Sequence, residues 1–319
     1  MKILVIRFSS IGDIVLTTPV VRCLKEQLSC EVHYCTKAGY KSILENNPYI
    51  DKLHLLDDNM KELTKSLKNE KFDYVIDLHR NIRTMKIKWS LMSKWRSVDK
   101  LNIEKWMLVK FKTNRLPKVH IVDRYLETTR SLGVKNDGKG LDYFISEKDE
   151  MKMDELPEGF QNGFNVFAVG GQHFTKKLPN ERIAEAIDKV SYPTILLGGK
   201  EDYENGEEIV KMSNSVVVNF CGKSSLGESA WLVKMSERVF THDTGVMHIA
   251  AAFNKPIVSF WGNTVPQFGM YPYLVEEKAI EKSKMIEVTD LPCRPCSKIG
   301  FDKCPQGHFK CMKESEFNF

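Results

Sequence analysis

Thr241-His242-Asp243-Thr244-Gly245-Val246-Met247-His248-Ile249-Ala250-Ala251-Ala252 is the stretch on which the fold turns. Residues 239–242 read as the end of a buried strand, Asp-Thr-Gly as a turn, and a helix starts inside that turn. The free N–H groups and positive dipole end of such a helix make an anion site, and Gly245 keeps its approach clear of side chains. His248 falls near the first turn, where it could add a hydrogen bond or a charge. Alanines 250–252 let the helix lie close on a sheet, and residues 257–260 supply the next buried strand before Gly262. Asp-Thr-Gly also marks aspartic proteases. Those enzymes are β-rich and need a second matching carboxylate loop, which this chain lacks.

Working outward, the same alternation continues. Strands are predicted at 165–169, 194–197 and 216–220, with helices near 181–189, 202–212, 226–235 and 245–253. A Gly-, Pro- and charge-rich stretch at 134–163 precedes them. Before it comes a second series, with strands at 2–8, 31–36, 52–56 and 73–78 and a helix over 14–28. Strands alternating with helices predict parallel, helix-covered sheets. A length of 319 residues suits two such domains, divided as 1–160 and 161–319, with a cleft at the strand ends. No G-x-G-x-x-G follows the first strand and no P-loop lysine motif occurs, which argues against dinucleotide oxidoreductases and P-loop phosphotransferases.

Apolar residues at 42% and charged residues at 28% describe a globular chain. No apolar run approaches the roughly 20 residues of a membrane-spanning helix. The apolar run at 3–6 is broken by Arg7, so no signal peptide is expected and the location expected is cytoplasmic. Without an export signal, the eight cysteines read as thiols. The net charge of +5 is concentrated between Arg80 and Lys118, where only Asp99 and Glu104 oppose the lysines and arginines, and Trp89, Trp95, Trp106 and Phe111 are interleaved. Such a patch suits an anionic partner, whether acidic lipid headgroups, a phosphorylated glycolipid or nucleic acid, or is a solvated helical surface.

Three further segments could carry chemistry. In Ser9-Ser10-Ile11-Gly12-Asp13, Gly12 permits a tight bend, and Asp13 could take a proton from a hydroxyl or cap the following helix. In Thr175-Lys176-Lys177-Leu178-Pro179, the lysines precede a helix start and could hold a diphosphate, or form a basic surface loop. In Gly198-Gly199-Lys200-Glu201-Asp202, a carboxylate after a strand could meet ribose hydroxyls. Near the C-terminus, Cys293, Cys296, Cys304 and Cys311, with His308 beside them, could hold a structural zinc or remain unpaired thiols.

Taken in order, and joined by Phe72-Asp73-Tyr74-Val75-Ile76-Asp77-Leu78-His79-Arg80 and Phe260-Trp261-Gly262-Asn263-Thr264-Val265-Pro266, these segments resemble the lipopolysaccharide heptosyltransferases of glycosyltransferase family 9. The resemblance runs from residue 1 to about residue 272. It implies the GT-B architecture, two Rossmann-like domains facing across a cleft, with the acceptor on the first and the donor on the second. It also implies inversion at the anomeric carbon without a catalytic metal or other required cofactor. By resemblance, Asp13 is the general base, and Arg7, Ser9, Ser10, Gly12 and Arg80 surround the acceptor. Lys176 with Thr175 holds the donor diphosphate and Glu201 meets the ribose. Asp243, Thr244 and Gly245 contact the donor, and His248 supports them. The implied substrates are a nucleotide sugar, ADP-heptose, and a lipid-linked saccharide at the cytoplasmic face of the inner membrane, with peripheral contact to that anionic surface and no nucleic acid. A relative using another nucleotide sugar is the first alternative; a basic, zinc-tailed nucleic-acid-binding protein is the second. Leu178 stands where the family often has tryptophan, and Arg7 where some members have lysine. Little chain follows the cysteines to form the long closing helices common in GT-B enzymes.

Overall fold

The computed structural model describes residues 1–319. The chain forms two compact units, Met1–Lys100 with Val119–Phe144, and Leu101–Lys118 with Ile145–Phe319. The division at 144/145 differs from the 160/161 expected, and an arginine explains part of it. Arg22, 1% exposed, bonds Asp137, Asp142 and the carbonyl of Gly140, which ties the segment after residue 134 to the first unit.

In the first unit β1 (Lys2–Ile6) leads into α1 (Ile11–Val15) and α2 (Thr18–Leu28). One helix was expected here. Pro19 cannot donate to the preceding turn and its ring crowds the carbonyl four residues back, so the helix restarts. The hydroxyls of Thr17 and Thr18 then cover the carbonyls of Ile14 and Val15 at 2.6 and 2.8 Å. There follow β2 (Glu31–Lys37), β3 (Lys52–Leu56), α3 (Met60–Glu70), β4 (Tyr74–Asp77), α4 (Ile82–Ser90) and β5 (Lys94–Ser97). All pairings are parallel, in the order β3-β2-β1-β4-β5. Ile3, Leu4, Val5 and Ile6 are fully buried, the continuous apolar run of a strand covered on both faces.

α5 (Asn102–Phe111) belongs to the second unit. Its Leu108 packs with Val265 and Phe268, and Lys112 just beyond it donates to the carbonyls of Cys293 and Pro295. α6 (Ile121–Glu127) returns to the first unit. The second sheet is then built from β6 (Asn165–Ala168), α7 (Asn180–Ile187), β7 (Thr194–Leu197), α8 (Tyr203–Met212), β8 (Val217–Asn219), α9 (Leu226–Met235), β9 (Arg238–His242), α10 (Gly245–Ala252), β10 (Ile257–Trp261), α11 (Glu277–Glu281) and β11 (Lys284–Glu287). α12 (Lys310–Lys313) lies in the tail. The strand order is β11-β10-β9-β6-β7-β8, again all parallel.

Relabelled within its own unit, the second sheet runs 3-2-1-4-5-6, the dinucleotide-fold order, and the first runs 3-2-1-4-5. In each, the chain order reverses between the first and fourth strands. The crevice outside the strand C-termini at such a reversal is where open α/β sheets bind ligands.

Candidate active site

The reversal point of the first sheet lies between β1 and β4, and it gathers Arg7, residues 9–13 and residues 77–80. Arg7 is fixed from several sides. Its Nε donates to the Ser9 carbonyl at 2.7 Å, and its terminal nitrogens reach the Leu78 carbonyl at 2.6 Å, the Tyr125 hydroxyl at 3.2 Å and Asp13 Oδ1 at 2.7 Å. The second Asp13 oxygen accepts from the Ser10 N–H at 3.3 Å and the Ser10 hydroxyl at 3.0 Å. Ser10 is the N-cap of α1 and Asp13 its third residue, so the carboxylate does reach back to cap the helix while staying 21% exposed. Burial works against its charge, but the Arg7 guanidinium and the two Ser10 bonds outweigh it and hold the carboxyl below its usual range. Gly12 lies buried within α1 rather than in a sharp bend.

On β4's side, buried Asp77 accepts the N–H groups of His79 at 3.0 Å and Arg80 at 2.7 Å, folding the chain so that Arg80 takes a left-handed φ of 44°. The Arg80 guanidinium reaches the Val98 carbonyl at 3.0 Å and Asp99 at 3.5 Å. Burial, then the nearby Arg7, push the His79 imidazole down to about 4, so it is neutral at physiological pH. A hollow of about 420 Å³ at the ends of β2 and β3 is lined by Lys37, Asp57, Asp58 and Arg83.

The second reversal point lies between β6 and β9. Lys176 Nζ meets Asp243 Oδ2 at 2.7 Å and its carbonyl at 3.2 Å, and the Thr264 hydroxyl donates to the same carboxylate oxygen at 2.9 Å. Asp243, Thr244 and Gly245 are partly exposed at the start of α10. Thr244 is the N-cap, no side chain caps the helix, and its first turn holds no acid, so its leading N–H groups remain available to an anion.

Several expected contacts sit differently. Thr175 is 1% exposed; its hydroxyl and N–H form a three-bond clasp with the backbone of Phe301 at 2.8 to 3.2 Å. It sets the loop that carries Lys176. A β-carbon on Gly262 would stand 2.7 Å from the Thr175 carbonyl, so the β10 turn needs glycine there. Glu201 is exposed, whereas Asp202 turns inward, accepting from the Gly199 N–H at 3.0 Å and pairing with Lys177 at 3.4 Å. The Gly170 position is filled by that same carboxylate: a β-carbon there would lie 2.7 Å from it. His248 is 2% exposed, and Leu178, 3% exposed, joins the core with its N–H on His242 Nε2 at 3.0 Å. Asp202, Lys177, Asp77 and Thr264 were in or beside the quoted segments; no sequence pattern ranks them above their neighbours.

The tail cysteines crowd one another. Burial, then the neighbouring thiols, raise Cys296 above its usual value and Cys311 to about 12. No three of these sulfurs lie within 4.8 Å of one another, the convergence a tetrahedral zinc site needs. The trio that does converge is His33, His54 and Glu70. Its donors are already matched: His33 bonds His54 at 2.9 Å and Glu31 at 2.7 Å, and Glu70 takes Lys2 and Lys52.

Two dinucleotide-type sheets, each with polar loops at its reversal point and neither with a dinucleotide or P-loop glycine motif, form the architecture of the GT-B glycosyltransferases. The sequence profile described as glycosyltransferase family 9 (heptosyltransferase) matches residues 60–302. The chain belongs to that family and is a glycosyltransferase. It is 25% identical over 289 residues to lipopolysaccharide heptosyltransferase 1 of Campylobacter coli, covering 83% of this chain and 84% of that one. The solved glycosyl transferase family 9 structure from Veillonella parvula superposes with a TM-score of 0.73 at 25% identity, covering 91% of this chain and 86% of the other. The E. coli ADP-heptose lps heptosyltransferase II shares the fold, with a TM-score of 0.69 at 20% identity over 98% of both chains.

Proposed function

We propose that this enzyme moves heptose from ADP-heptose to a lipopolysaccharide or lipooligosaccharide core acceptor, with inversion and without a catalytic metal. The Lys176–Asp243 pair at the uncapped start of α10 carries the reading: a held cation beside free helix N–H groups is what a leaving diphosphate needs. The names of the relatives, heptosyltransferases acting on lipopolysaccharide, and the ADP-heptose of the E. coli enzyme support the choice of substrates.

In this reading the first unit binds acceptor and the second binds donor. Asp13, kept ionised by Arg7, accepts the proton of the acceptor hydroxyl as its oxygen attacks the anomeric carbon. The bond to the diphosphate breaks, and ADP leaves with the electron pair, its new charge met by Lys176 and the N–H groups of Gly245 and Val246. Arg80, with Ser9 and Ser10, orients the acceptor. Thr175 positions Lys176 through its clasp on Phe301, Glu201 reaches the ribose from the β7 turn, and His248 supports α10 from its buried face.

The test is a binding titration with ADP-heptose, ADP, UDP-glucose and UDP, followed by the anomeric configuration of the product by NMR with and without chelator. Tight ADP-heptose binding, an inverted product and indifference to chelator are expected. Preference for a uridine nucleotide would discard the heptose donor, and a retained configuration would discard Asp13 as base.

A further inference from the structure

α4 has two apolar faces and only one core. Thr84 and Ile87, continued by Leu91, point into the first unit and are buried. Ile82, Met85 and Trp89 recur at i, i+3 and i+7 on the opposite side, at 74%, 54% and 85% exposure, and Met92 just past the helix is fully exposed. A stripe of large side chains turned directly away from the core gains nothing from the fold of its own unit. Arg83 and Lys86 flank it on one side and Lys88 on the other, and the helix holds no acidic residue. The exposed acids beside it lie on neighbouring loops: Asp57 and Asp58 share a hollow with Arg83, and Asp99 pairs with Arg80. A tryptophan-bearing apolar stripe on a helix whose only charged residues are cations complements an anionic lipid surface, where rings and alkyl chains enter the headgroup layer and ammonium and guanidinium groups meet phosphate. No helix of the chain is long and apolar enough to cross a membrane, so such contact would be peripheral.

We propose that α4 docks the enzyme on an anionic bilayer, with Ile82, Met85, Trp89 and Met92 inserted among the headgroups and Lys86 and its neighbouring cations on lipid phosphates. The helix opens at Asn81, one residue after Arg80, so docking sets the loop that follows β4 against the surface in which a lipid-linked acceptor is anchored. That last step rests on the acceptor proposed above; the surface itself does not.

Vesicle flotation at low salt tests it, using three parts phosphatidylethanolamine to one part phosphatidylglycerol against pure phosphatidylcholine. Flotation with the anionic vesicles alone is expected. Trp89→Ser should weaken partitioning about tenfold and Lys86→Glu at least about fivefold, the latter abolished in high salt. Both variants should keep full turnover on a water-soluble acceptor saccharide, since both positions are exposed and outside the site. Wild-type protein that stays unbound, or binding indifferent to both substitutions, overturns the proposal. So does a dimer that Trp89→Ser converts to monomer with vesicle binding unchanged, since the stripe would then seat a second copy. If docking behaves as expected while no heptose is transferred to any acceptor, the surface stands and the substrate reading falls.

Discussion

At the reversal point of the first sheet, a largely buried arginine, locked to two backbone carbonyls, holds a carboxylate in place. At the reversal point of the second, a carboxylate steadied by a threonine holds a lysine. The topology is shared and the charge roles are exchanged. In the proposed mechanism, arginine is the fixed partner where the group in use is anionic, because its planar fork can satisfy several acceptors at once and never gives up its proton. Lysine is there the group in use, where an anion is to be met and released, because a single flexible ammonium can leave one oxygen for another. Both sites therefore spend half of an ion pair on positioning the other half.

Removing the working half of each pair should have the largest effect. Asp13→Asn is expected to lower kcat by about a thousandfold while leaving ADP-heptose affinity within a few-fold; unchanged turnover would erase the distinction between the pairs. Lys176→Ala should cost about a hundredfold in kcat/KM and weaken donor binding, and isothermal titration would show whether the loss follows the diphosphate by comparing ADP with adenosine. Replacing the positioning half is subtler. In Arg7→Gln, burial acts on Asp13 with no guanidinium to oppose it, so its pKa rises. A base must be deprotonated to work, so the acid limb of the kcat/KM profile should move to higher pH by on the order of one unit. An unmoved limb would mean that Arg7 does not set that charge. Smallest is Thr175→Val, which strips one side of the Phe301 clasp: a stability loss of about 1–2 kcal/mol in urea melts and a few-fold loss of donor affinity, with kcat retained at saturation.

The strands of the two cores were legible because they are buried on both faces and read as unbroken apolar runs, as in residues 3–6 and 257–260. The two that escaped, β5 and β11, are the sheet edges Lys94–Ser97 and Lys284–Glu287, whose charged residues blunt an open edge and hide the strand from any hydrophobic pattern. Among candidate site residues, the place of Asp243 after a strand and before a helix is legible from spacing. The contact of Thr175 with Phe301 spans 126 residues and leaves no mark in the local sequence. Glu201 and Asp202 are neighbours of one chemical type, and only the packing against Gly170 and Lys177 turns the second inward. The place of His248 near the first turn of α10 is legible from spacing, but its burial is not.

The Thr175–Phe301 clasp also imposes an order on synthesis. All six strands of the second sheet have been synthesised by residue 287. The lysine loop after β6, made more than a hundred residues earlier, still waits for residue 301 before its backbone is pinned. A nascent chain thus makes every strand of the second sheet before it makes the residue that pins the Lys176 loop.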